Sequence, residues 1–369
     1  MSSLVNQQET TLGLRKRVTS VDHNTEDILS RPNTIEAINS SVATTSTTTT
    51  TCSSSNLQKR AKMAEQNAIL MDSSSHEAWQ QLDDLEKVSI DAGKAMEEFR
   101  NYEDSSRQDI VELHYQKMRE FQTVEKVHYF YDKYHSFQNC EMTIWEGFEA
   151  LKGYVDSSDP DSDLPNMEHM LQTAESIRAA GHPDWMILTG LLHDMGKIMY
   201  LWGTKEDGQI GRADFPQWAL GGDTWVVGVP LPESVVFPQF NALNPDRDIN
   251  LYQTITNDTM GMYTKHCGLK NLKFAYGHDE YMYQMLLYNK TTLPKESLGM
   301  IRYHSCYPLH SCNEYQELLE PGDKQLLDWV REFNQFDLYT KANERPNVDE
   351  LWPYYQTLID KYIPGKLKW

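Results

Sequence analysis

Positive charge is scarce in this chain: 34 Lys and Arg stand against 54 Asp and Glu, a net charge of −20. Phosphate backbones and anionic membrane surfaces are bound through Lys and Arg, so neither nucleic acid nor membrane is expected as a partner. Cysteine is scarce too, five in 369 residues, with no CxxC pair. An odd and unpaired set argues against a disulfide framework and for a reducing, cytoplasmic setting. There is no run of about 18 apolar residues, hence no expected membrane span. The opening MSSLVNQQETTLGLRKRVTS also lacks the apolar segment of a signal peptide, and its basic Arg15–Arg17 cluster reads as part of a solvated tail. Residues 1–75 read as a tail, and the low-complexity SSVATTSTTTTTCSSS at 40–55 is nearly free of core-forming side chains. Such a segment cannot bury enough surface to offset chain entropy and is expected to be disordered, with at most a short helix around 57–71.

From residue 76 the pattern becomes helical. Trp79, Leu82, Leu85 and Val88 fall at helical spacing, and VELHYQKMREFQTVEKVHYFYDKYHSF reads as one long helix. Further helices are predicted over 142–155, from Asn166 to the stop signal Gly181, from Pro183–Asp184 onward, and over 277–290, 295–307 and 323–341, with a last one at YYQTLIDKYI. The Pro- and Gly-rich stretch from 203 to 250 is expected to hold short strands or a hairpin around GGDTWVVGVP. The whole predicts one mostly α domain over 76–369 behind the tail.

Polar side chains interrupt the most apolar of these segments. GLLHDMGK puts His193, Asp194 and Lys197 within five residues of each other, and His169, His278 and His304 sit in or at the start of other apolar helices. Each imidazole taken singly fits a hydrogen-bonded core histidine. Four together, each beside an acidic or hydroxyl neighbour, are accommodated at once by a shared metal site. Asp337 lies four residues after Phe333 and seven after Val330, on the face that its helix buries. A buried lone carboxylate costs several kcal/mol unless it is paired or bound to metal. Neighbouring helix residues point about 100° apart, so His193 and Asp194 converge only on a metal beside the helix, and an Asp can bridge two. Lys197 shares their face, to pair with Asp194 or to neutralise substrate oxygen. Imidazole and carboxylate without thiolate suit iron, manganese or zinc. The ordered set His169, His193–Asp194, Asp337 resembles the HD-domain superfamily of helical metal enzymes, most of which hydrolyse phosphate esters.

Longer strings narrow the resemblance. SDLPNMEHMLQTAESIR, GLLHDMGK, GGDTWVVG, GMYTKHCGL, GHDEYMYQ, IRYHSCYP and WVREFNQFDLYTK are similar to those of the myo-inositol oxygenases, from FRNY at 99–102 to the final KYIPGKLKW. That resemblance implies an HD-domain-like helical bundle around a dinuclear metal site, with a short β-hairpin or irregular insertion. It implies an oxidoreductase of inositol catabolism that cleaves myo-inositol with O2 to D-glucuronate at two iron ions per chain, mixed-valent Fe(II)/Fe(III). Carried over by motif, His169, His193 and Asp337 complete one iron, His278 and His304 the other, and Asp194 bridges. Arg100, Asp156, Ser157, Ser158, Lys197, Gly222, Asp223, His304 and Ser305 are the implied substrate contacts, with Lys197 stabilising an alkoxide and Lys341 a further catalytic candidate. A monomer is expected. Two departures stand out: Ser157 replaces a commonly acidic residue, and 203–218 is longer than usual and reads as a surface insertion. The other readings are an HD-type metal-dependent phosphohydrolase, which needs more cations near the metals than Arg100, Lys197 and Lys341, and a non-catalytic interaction protein with structural histidines.

Overall fold

The computed structural model describes residues 100, 102–103, 105–161, 165–339, 346–363 and 365–369, all within the unit Cys52–Trp369. The Ser/Thr-rich tail, the helices expected at 57–71 and from Trp79, and Lys341 lie outside the described residues.

The long aromatic helix is in fact two, α1 (Gln108–Phe121) and α2 (Val124–Tyr134). Gln122 leaves the helical path because its buried amide is claimed elsewhere. Its Nε2 donates to the carbonyls of Trp218 and Tyr276, at 3.0 and 2.7 Å, and its Oε1 accepts from Tyr276 N–H. Thr123 then caps α2 through its hydroxyl, satisfying one of the free N–H groups of the new helix. A two-residue strand β1 (Glu141–Met142) leads into α3 (Ile144–Ala150), opened by a Thr143–Glu146 capping box.

The helices that matter for the site follow. α4 (Asn166–Ala179) and α5 (Asp184–Leu192) form a hairpin through Gly181, whose φ of +82° suits the left-handed stop after a helix. After its first two residues α5 is buried throughout, from Met186 to Leu192, and it runs into a 3₁₀ segment, Met195–Leu201. After a long irregular stretch come α6 (His278–Tyr288), α7 (Lys295–Tyr303), α8 (Asp323–Tyr339) and α9 (Val348–Tyr362). α7 packs against α5, α6 and α8, α8 also against α4, and α6 against the 3₁₀ segment, so α4 to α8 surround the His193–Asp194 junction. Gly196 makes the last contact possible, since a β-carbon there would lie 2.0 Å from the carbonyl oxygen of His278.

No hairpin forms around GGDTWVVGVP. Val226 and Val227 are both buried, so the segment lacks a solvent face, and it makes only a single bridge from Val226 to Phe274. The hairpin lies later, β2 (Thr259–Met260) on β3 (Tyr263–Thr264), and β4 (Leu367–Lys368) pairs antiparallel with β1. Nor is 203–218 simply a surface insertion. Residues 204–206 and 212–214 are exposed, but Asp207 is gripped by Lys126 and Lys133 of α2, each at 2.6 Å, while Gln209 and Gln217 are fully buried. Among the described residues, no helix is long and apolar enough to cross a membrane.

Candidate metal and substrate site

Five segments deliver six ligand-type side chains to one point. His169 lies in the first turn of α4, His193 and His304 end α5 and α7, His278 opens α6, and Asp337 sits in the last turn of α8. Three of the rings are oriented in the same way. Nδ1 of His193, His278 and His304 donates to the carbonyls of Gly190, Leu220 and Ile301, at 2.8, 2.6 and 2.9 Å. A ring that donates from Nδ1 and stays neutral turns a lone pair outward from Nε2, the arrangement of a metal-ligating histidine.

Those Nε2 atoms converge on Asp194. Its Oδ1 lies 3.0 Å from His278 Nε2 and 3.8 Å from His304 Nε2, while its Oδ2 lies 3.6 Å from His193 Nε2 and 3.9 Å from His169 Nε2. Asp337 Oδ1 closes the second group, 2.9 Å from His169 Nε2 and 3.2 Å from His193 Nε2. Among the described residues, Asp337 meets imidazoles and no Lys or Arg. The Nε2 atoms of His278 and His304 are only 3.0 Å apart, and His193 Nε2 is buried with no hydrogen-bond partner. Two ring nitrogens this close share either a proton or a metal ion, and imidazole with carboxylate is a donor set that iron accepts. Burial works against the charge of Asp194, yet Lys197 and His193 hold it well below the usual carboxylate range; His193 and His169 do the same for Asp337. His169, His193 and Asp337 form one group able to hold a metal, and His193, Asp194 and His304 a second.

A cavity opens beside the group. The 3₁₀ turn carries Lys197 to its wall, where Nζ donates to Asp194 Oδ2 at 2.7 Å, Asp156 Oδ2 at 2.8 Å and Asn166 Oδ1 at 3.0 Å. Burial opposes the ammonium, and the two carboxylates outweigh it, raising Lys197 above its ordinary range. Across the cavity Arg100 grips Asp223 with both terminal nitrogens and stacks 3.5 Å over the ring of Tyr307. Arg100, Asp156, Ser158, Lys197, Gly222, Asp223, His304 and Ser305 all line this cavity. Ser157 does not. Its hydroxyl points the other way, to His114 Nδ1 at 2.9 Å. The sequence reading missed Tyr115, Asn166 and Tyr307, which also line the cavity. Asn166 stood in plain view at the head of α4, three residues before His169, and Tyr307 stood three after His304.

The sequence model of the myo-inositol oxygenase family matches residues 108–369. The inositol oxygenase of Mus musculus is 47% identical over 285 residues, 76% of this chain and 94% of its own length. That of Dictyostelium discoideum is 42% identical, covering 77% of this chain and 94% of its own length. The probable inositol oxygenase of Oryza sativa subsp. japonica is 43% identical over 73% of this chain and 85% of its own length.

Proposed function

Because this chain belongs to the myo-inositol oxygenase family, we propose that the cavity beside Asp194 is where it holds myo-inositol against two iron ions. The chain is an oxidoreductase acting on inositol. His169, His193 and Asp337 would hold one iron, His278 and His304 the other, and Asp194 both. The observation that carries this reading is the split of Asp194, one oxygen turned to each pair of imidazoles. Bound iron supplies Lewis acidity at substrate hydroxyls and the redox capacity to use O2, with D-glucuronate as the product.

The protein's own groups do the rest. A cyclic polyol carries no charge, so it is recognised by hydrogen bonds in fixed directions. Asp156, Ser158, Asp223, Ser305 and the backbone at Gly222 offer them around the cavity. Lys197, held between Asp156 and Asp194, presents a fixed ammonium toward any hydroxyl that gives up its proton. The Arg100–Asp223 pair covers the opposite side. The phosphohydrolase reading is not favoured: Arg100 and Lys197, the Arg and Lys lining the cavity among the described residues, are already engaged by carboxylates, which leaves little unpaired positive charge for a phosphate. The reading includes a single catalytic domain over 76–369, a monomer and a cytosolic location, in keeping with the free thiols of Cys140, Cys267, Cys306 and Cys312.

The test is anaerobic iron loading followed by metal analysis, electron paramagnetic resonance and oxygen uptake. About two irons per chain, a coupled mixed-valent signal that myo-inositol perturbs, and inositol-dependent O2 consumption yielding glucuronate are expected. Stoichiometric zinc binding with no O2 consumed by the iron-treated protein would refute it.

A further inference from the structure

His114 lies outside every ligand and substrate string, yet it is fully buried on α1 between the two loops that wall the cavity. Its Nε2 is 3.2 Å from the carbonyl oxygen of Gly221, and its Nδ1 is 2.9 Å from Ser157 Oγ. A carbonyl only accepts, so Nε2 carries the proton. Burial pushes the ring down to about 4, so it is neutral at physiological pH and Nδ1 accepts from the Ser157 hydroxyl. That hydroxyl in turn accepts from Gln217 N–H at 3.1 Å. The result is a directional chain of three hydrogen bonds: Gln217 to Ser157, Ser157 to His114, His114 to Gly221.

Both partners of His114 in this chain abut cavity residues. Ser157 lies between Asp156 and Ser158, and Gly221 precedes Gly222 and Asp223. The fit is close, because a β-carbon on Gly222 would lie 2.7 Å from His114 Nε2. The next residue of α1 serves the same loop: Tyr115 Oη accepts from Asp223 N–H at 3.2 Å and donates to Asp223 Oδ1 at 3.3 Å. Gln217 fastens the other loop from beneath, its Oε1 accepting from Ser157 N–H at 3.1 Å and from Tyr154 Oη at 2.6 Å.

We infer that His114 is a positioning residue for substrate recognition, fixing the spacing of the Asp156–Ser158 and Gly221–Asp223 loops through Ser157, and so setting the affinity for the polyol rather than the chemistry at the metals. This accounts for Ser157 facing away from the cavity. It rests on the cavity being the inositol site, as proposed above.

The experiment uses the full-length, iron-loaded chain with myo-inositol. His114→Phe keeps a planar aromatic ring and removes both hydrogen bonds; its KM should rise about tenfold or more, with kcat within about threefold of wild type and iron content unchanged. His114→Gln, whose amide offers an acceptor and a donor together, should recover most of the loss. Ser157→Ala should raise KM on its own and add nothing on top of His114→Phe. An unchanged KM in folded His114→Phe overturns the inference, as does a fall in kcat with KM unmoved. Where His114→Phe fails to fold, Ser157→Ala decides in the same way. A wild-type chain that does not turn over inositol overturns the site reading and this inference together; an active wild type with unaffected variants overturns this inference alone.

Discussion

Glu280 and Arg302 form an ion pair next to the metal-facing histidines, and breaking it gives a sharp test of how the two helices are held. Glu280 lies two residues after His278 on α6, and Arg302 two before His304 on α7. Arg302 Nε donates to Glu280 Oε2 at 2.7 Å with both side chains almost wholly buried, and its Nη2 reaches the carbonyl of Leu272 at 3.2 Å. Glu280 Oε1 also accepts from Tyr131 Oη at 2.6 Å and Gln284 Nε2 at 2.7 Å. Burial opposes both charges, and each is outweighed by its partner, so both ionise more readily than usual. Arg302→Met removes the cation and strands the carboxylate. Breaking such a pair costs about 3–5 kcal/mol. Tyr131 and Gln284 still solvate the carboxylate, which places the loss near the lower end, about 3 kcal/mol, or about 5 °C in the thermal midpoint for a domain of this size. The Glu280→Leu/Arg302→Met double variant removes both charges and should recover at least half of that loss. The assay is urea denaturation of metal-free protein, followed by tryptophan fluorescence. A single variant within about 1 kcal/mol of wild type, or a double variant as unstable as the single, would refute the reasoning.

Other outcomes follow from the same geometry. Asp194→Asn takes a shared carboxylate from both ligand groups and should abolish binding of both metals, whereas His278→Ala should spare the His169–His193–Asp337 group; metal analysis after dialysis distinguishes them. Gly196→Ala places a methyl 2.0 Å from the His278 carbonyl oxygen and should force α6 away from the 3₁₀ turn, lowering both metal content and stability. Acid should begin to destabilise the fold below about pH 6.5 through its buried histidines. His114, His135 and His310 are held neutral by burial, down to about 4, 4 and 3 from an ordinary 6.5, so the unfolded chain binds more protons between those limits. Their contribution is complete above pH 6.5 and falls as pH drops toward 4, by about 3 kcal/mol for His114 alone. His114→Phe should flatten that slope in urea midpoints measured against pH, and an unchanged slope would count against the neutral ring.

The ligand residues were legible because polar groups inside apolar helices have few ways to be satisfied. His193, Asp194 and Asp337 stood out as residues that a core would not otherwise accept, and the long companion strings assigned them together. What stayed hidden depends on contacts between distant segments. Nothing local in FQTV announces that Gln122 leaves the helix for the backbone of residues 218 and 276. Nothing in DSSD says which serine faces the cavity and which faces His114. The absent hairpin at 222–230 has the same cause: both faces of that stretch are covered by tertiary neighbours, so its valines show no alternation.

The histidines were the easier part for a further reason, which lies in how helices end. The last carbonyls of a helix lack intrahelical donors. α5 and α7 each end on a histidine whose Nδ1 donates to the carbonyl three residues back, Gly190 in one case and Ile301 in the other. The same bond satisfies the helix end and fixes the tautomer, so that Nε2 projects beyond the terminus. His278 reaches the same state from a helix start, through the carbonyl of Leu220. Orientation of these rings therefore uses backbone oxygen and consumes no carboxylate. Asp194 and Asp337 stay available for cations, and Asp194 can turn one oxygen to each side. A site on helix faces would lack those terminal carbonyls and would need further acidic residues to orient its rings; convergence of helix ends makes six side chains enough.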